Sequence, residues 1–524
     1  MNPCSRLHAS SFPYQLLAGT AALLLATVTS PAALFKKSAS DFPVIYRSGN
    51  IPAALTSVAK EATANANNKD TVLWRLEQGA TLRTAALAGP GTVPAIADPA
   101  AATAPGQPAP ATPPADVPNA YVKHSLLAFD QAEEKVNAYE AEAKTKVGSE
   151  VGAALTNLSA LPFRGHAYDK VMMNAYKALD YLQLGQKDNA RVELNRALQR
   201  QRDAVAENEK RIAGAQETAE KAKNGEVKDE NGKSAAYDTG KAQSDPKTGP
   251  ALNAVLDAST ANLVSYGNYV NPFAVFLDAL FFMANGEGGS DLERGRKSME
   301  RVALMVPNNP YVKEDLALAT AAAEGKSPEG ITYVFFETGT GPDRDEVRID
   351  IPTFLVTSKV AYVGAAFPKL IFNANYVGVL GIKAGDQTIS TATLASMDSV
   401  VANDFKNEWP VVVTKTLIAT ATKAIVQAQA QKGANQLGML GSVVGTIGIA
   451  ALNATTTHAD TRVWSSLPKE FQYARLATPA DRQLTLAAGS NNRTVTLVPG
   501  AINIVYVKSI SASSHLLVSQ FALK

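Results

Sequence analysis

The sequence predicts an α+β chain of more than one domain: helical to about residue 328, then strand-rich from 330 to 524 around a central helix pair. Three observations carry this. Apolar residues recur at spacings of three and four in residues 161–202 and again in 272–307. At Ile331 the pattern changes to short β-branched and aromatic runs separated by turns. With 524 residues, 46% of them hydrophobic, the chain is long enough for sizeable cores.

The net charge is +2 and basic residues are interleaved with acidic ones, so no electrostatic footprint for nucleic acid is present. Cys4 is the sole cysteine, which excludes an intrachain disulfide and thiolate metal sites. The five histidines are too scattered to suggest a paired ligand motif. No metal-binding, cofactor-binding or catalytic residue set is therefore assigned.

Residues 1–33 read as a secretory signal: Arg6 precedes an apolar run at 16–28, and small residues including Ser30 and Ala32 follow. Thr20 stands where a lipoprotein signal would carry its lipidated cysteine. The expected location is periplasmic or otherwise extracytoplasmic. A helical domain is expected over 41–328. It begins with helices to about Gly89, where Leu73, Leu76, Gly79 and Leu82 share a face. Residues 90–118 are almost all Ala, Pro, Gly and Thr and read as an extended, mobile insertion. Helix resumes near Ala120.

In residues 161–202, Tyr168, Val171, Met172, Ala175, Leu179 and Leu182 form one stripe, and Ala190, Leu194, Ala197 and Leu198 a second, across a turn at Gly185. Charges of alternating sign in 202–223 suit a protruding solvated arm. Residues 224–249 lose periodicity and read as a disordered loop. The next unit pairs an apolar helix from Pro272 with one lined by Gly295, Met299 and Val302, closed by Pro307. The order of turn glycine, small, bulky, small and terminal proline is tetratricopeptide-like in both hairpins. Such helices cannot bury both faces alone and ask for neighbours. Tyr176 and Tyr181 are the contact candidates of this domain, with a core position for Tyr181 the stronger reading.

Beyond Gly330, strands are expected at 331–336, 347–351 and 359–365. The first two are separated by Glu337-Thr-Gly339-Thr-Gly341-Pro-Asp-Arg-Asp345. No Lys-Ser/Thr follows these glycines and a strand comes next, so a hairpin connection is expected rather than a phosphate loop. A helix over 400–431 leads to an uncharged run at 437–452 in which Gly441 and Gly445 form G-x-x-x-G. This run reads as a helix buried under the sheet, with membrane insertion or self-association as the alternative. Then come Asp460 and Arg462, expected to pair, and Trp464, expected to shield them. Strands follow at 471–476, 484–487, 494–498, 502–507 and 516–521.

Together, LPFRGHAYDKV…YKALDYLQLG, FETGTGPDRDEVRIDIP and THADTRVWSSLP resemble a family of uncharacterised bacterial envelope proteins. That resemblance implies tetratricopeptide-like helices followed by a C-terminal domain of strands and helices; the 90–118 insertion and Thr20 depart from it. The expected function is a non-enzymatic scaffold or adaptor of the cell envelope that binds a protein or peptide through its helices. Two alternatives stand beside it. One is an envelope-polymer hydrolase using Glu337, Asp343, Asp345 or Asp460; the other is membrane-associated assembly through the glycine-rich run.

Overall fold

The computed structural model describes residues 40–99, 113–145, 158–227, 236–261, 263–353, 362–435 and 458–524. The expected signal and the 437–452 run with Gly441 and Gly445 lie outside these. Among the described residues no helix is long and apolar enough to cross a membrane. Helices come first: α1 (Phe42–Arg47), α2 (Ile51–Ala64), α3 (Thr71–Ala88), α4 (Val117–Thr145), α5 (Ala167–Gln183), α6 (Lys187–Lys223), α7 (Thr239–Gln243), α8 (Thr248–Thr260), α9 (Pro272–Asn285), α10 (Gly289–Met305) and α11 (Val312–Ala323). Strands β1 (Ile331–Thr338), β2 (Asp343–Pro352), β3 (Tyr362–Ile371), β4 (Gly381–Ala384), β5 (Gln387–Ser390) and β6 (Ala392–Ser396) follow, then α12 (Met397–Asn435). The chain ends with β7 (Glu470–Ala477), β8 (Gln483–Ala488), β9 (Asn491–Thr496), β10 (Ile502–Ser509) and β11 (Leu517–Ala522).

The main sheet has the order β11-β10-β1-β7-β6, with β1 parallel to β10 and antiparallel to β7. Its central strand ITYVFFET is buried along its whole length, because alternate side chains serve two different layers. Tyr333 and Phe335, with Tyr473 of β7 and Ile504 of β10, join the helical core on one face. On the other face Val334 and Phe336, with Val505 and Val507, pack against a second sheet, β5-β4-β8-β9, through Leu380, Ile382, Leu484 and Leu486. The main sheet is thus a middle layer between helices and a smaller sheet.

Helix α9 sits on the helical side. It is apolar apart from Asp278 and buried from Pro272 to Ala284, as a helix enclosed by other elements must be. Phe273 stacks on Phe471 at 3.8 Å, and Phe276 lies 4.6 Å from Tyr473. Gly295 lets α10 approach it closely, since a Cβ there would lie 2.8 Å from the Met283 nitrogen. The hairpins α5–α6 and α9–α10 form as expected, but α5 is buried on every face, Tyr176 included.

Several expectations are corrected. The β1–β2 connection is not a hairpin, because β2 pairs with β3 in a separate two-stranded sheet. β1 is apolar on both faces and suits a central strand, whereas β2 opens with the charged run DRDE. Residues 202–223 are not a protruding arm. They continue α6 and lie against α12, where Asn208 donates to the Asn407 carbonyl at 3.2 Å and Arg211 pairs with Glu408 at 3.1 Å. The 224–249 segment is structured where it is described: Tyr237 is buried, its nitrogen donates to the Ala222 carbonyl, and α7 follows. The start of the 90–118 insertion is also held, with Tyr121 donating to the Pro94 carbonyl at 2.8 Å. Strands β4, β5 and β6 have no counterpart in the sequence pattern; they are only four or five residues long. Helix changes to strand near Gly330, yet residues of both portions share one core within the compact unit Ala39–Lys524.

Candidate functional site

Glu337 stands at the end of β1 on its helix-facing side, in register with Lys508 of β10. It is 1% exposed. The Tyr176 hydroxyl donates to it at 2.7 Å, the Tyr506 hydroxyl at 2.9 Å and the Lys508 ammonium at 2.5 Å. Burial alone would raise the Glu337 carboxyl, but Lys508, the Tyr176 hydrogen bond and Arg83 hold it below the usual carboxylate value. Burial and the adjacent carboxylate push both tyrosines well above theirs.

Arg83 of α3 lies over the Tyr506 ring at 4.7 Å and over Tyr176 at 5.3 Å. It pairs with Asp180 of α5, which also accepts the Ser125 hydroxyl at 2.8 Å. Two cations and two anions therefore balance inside the protein, joining α3, α4 and α5 to β1 and β10. This is an electrostatic clamp between helices and sheet.

The glycines beside Glu337 are used structurally. Gly339 has φ +67°, and a Cβ there would lie 2.6 Å from the Tyr376 Cβ. Its nitrogen donates to the Ser509 carbonyl at 2.8 Å, and that of Gly341 to the Leu467 carbonyl at 2.9 Å. Both N–H groups are thus committed to the protein, so the loop offers no cradle for an anion at these positions.

Asp460 and Arg462 pair as expected, through two bonds of 2.8 and 2.7 Å. Arg462 also donates to Asp70 and to the Leu161 carbonyl, both at 2.9 Å, and lies 5.4 Å from the Phe163 ring. Trp464 packs elsewhere, 5.9 Å from Phe129 and 6.0 Å from Tyr176, so the ring beside the guanidinium is Phe163. After Trp464, the Ser465 and Ser466 nitrogens and hydroxyls all donate to Glu77 of α3, over 2.5–3.2 Å. Burial outweighs these four donors and pushes Glu77 up to about 7.

A third group gathers at the start of α5. His166 lies 3.6 Å from Glu408 of α12, and Arg344 of β2 reaches the His166 Nδ1 at 3.4 Å. The Tyr168 nitrogen donates to Asp404 at 3.2 Å. Burial pushes Asp169 up to about 6 and Asp404 well above its usual value, while Arg211, His166 and Arg344 overcome burial and hold Glu408 low. The three stretches carrying the family resemblance therefore meet in space.

Sequence reading missed Glu77, Arg83, Asp180 and Lys508. The available signal was a charged residue on an otherwise apolar face: Glu77 falls four after Leu73, and Lys508 continues the side of β10 that holds Ile502, Ile504 and Tyr506. Among the described residues no group of three His, Cys, Asp or Glu side chains could hold a metal ion. The surface does carry an open groove of about 770 Å³ between α6 and α10, lined by Arg196, Arg202, Arg294, Lys297 and Arg301. No family model, curated protein or solved structure matches the chain.

Proposed function

We propose that the protein is a non-enzymatic scaffold of the bacterial cell envelope, exported by residues 1–33, with tetratricopeptide-like helices as its binding region. The observation that carries this reading is the enclosure of Glu337. A catalytic acid must reach its substrate, whereas Glu337 is buried and already takes three donors. Asp460 is likewise engaged by Arg462. These motifs are architecture, and the helices supply the accessible surface.

Affinity capture from envelope extracts with the full chain tests the proposal. A defined partner should be retained in constant ratio and lost when exposed residues within 41–328 are reversed in charge, but not when exposed residues of β5 or β9 are. Retention indifferent to every helical substitution would overturn it. So would hydrolysis of an envelope polymer that disappears in folded Glu337→Gln or Asp460→Asn variants.

A further inference from the structure

The groove between α6 and α10 has a composition unlike the interior clusters. Five cationic side chains line it with one acid, Glu293. That acid is already engaged by Arg296 at 2.7 Å and lies 3.8 Å from Lys297. Arg196 is anchored by Glu193 at 2.8 Å, and Arg294 by Asp278. Arg202 donates to the Gln199 side-chain oxygen at 2.7 Å, and among the described residues neither it nor Arg301 forms an ion pair.

The spacing defines the groove's length. Asn195, Gln199 and Arg202 line one wall, and Arg294, Lys297 and Arg301 the other. Each set spans seven residue steps, about 10 Å of helix. An extended peptide covers that distance in about three residues.

We propose that this groove binds a short, extended acidic segment of a partner polypeptide, its carboxylates held by Arg202, Arg301 and Lys297. The proposal rests on the scaffold reading and names the chemistry of its partner. Guanidinium forks match carboxylates in two-point contacts. The excess charge is also local. The whole chain carries only +2, and α10 returns to mixed sign at Arg296 and Glu300, so a long polyanion would find no continuing track.

Fluorescence anisotropy with a labelled Gly-Glu-Asp-Glu-Gly peptide and the full chain tests this. Binding should saturate, weaken with ionic strength, and fall about tenfold in Arg202→Glu/Arg301→Glu. Lys210→Glu, exposed on the same helix, should bind as the wild type does. Equal binding by the double variant overturns the proposal, as does absence of saturation. Preferential binding of long-chain polyphosphate, growing with its length, overturns it as well. If the peptide fails while partner capture still depends on other residues within 41–328, only this inference falls. If no helical residue affects capture, the scaffold reading falls with it.

Discussion

The clamp around Glu337 and the groove between α6 and α10 use the same residue types to opposite ends. In the clamp, Lys508 and Arg83 face Glu337 and Asp180, and every one of the four is buried. In the groove, acids anchor Arg196 and Arg294 and one lies near Lys297, while among the described residues Arg202 and Arg301 form no ion pair, and solvent reaches the lining; Lys297, for example, is 68% exposed. Balanced charge in the interior ties elements together, and removing a partner leaves an uncompensated ion. Unbalanced charge at the surface costs little to alter and is available to a ligand.

That contrast can be broken at several points. Lys508→Met should have the largest effect, about 3–5 kcal/mol of lost stability in denaturant unfolding, because it strands Glu337. Adding Glu337→Gln should recover part of the loss; no recovery would remove the ion pair from the account.

Glu77 sharpens the comparison through pH. Its folded value is about 7 against an ordinary 4.5, so the folded protein holds this proton more tightly than the unfolded chain does. The resulting stabilisation is complete below pH 4.5 and disappears as pH rises through 7. Relative to Glu77→Gln, the wild type should lose on the order of 3 kcal/mol across that window. Parallel pH profiles of the two proteins would contradict the assignment.

Gly339→Ala should cost about 2 kcal/mol, from a left-handed backbone and the crowding of Tyr376, read as a lowered melting temperature. At the smallest end, Arg202→Glu should change stability by no more than about 0.5 kcal/mol. A larger loss would mean that the groove cations are structural after all.

The legible part of the fold was its local part. The stripes of α5 and α6, the turn at Gly185, the length of α12 and five C-terminal strands follow from periodicity, which depends only on neighbours along the chain. The Asp460–Arg462 pair was legible for the same reason, being two residues apart. The partners of Glu337 were not, since Tyr176 and Lys508 lie 161 and 171 residues away. Periodicity likewise could not say that 202–223 lies under α12, because mixed charge looks the same on a solvated face as on one paired across an interface.

The sequence by itself determined that helices precede strands, the change of period at Ile331 and the local pairs. Only the tertiary structure decided strand neighbours, the separation of β1 from β2 into different sheets, and which charges are enclosed. The physical reason is that pairing order and burial are set by contacts between distant segments, where the loss of chain entropy is offset by buried area and matched charge. Periodicity along the chain carries no record of those contacts.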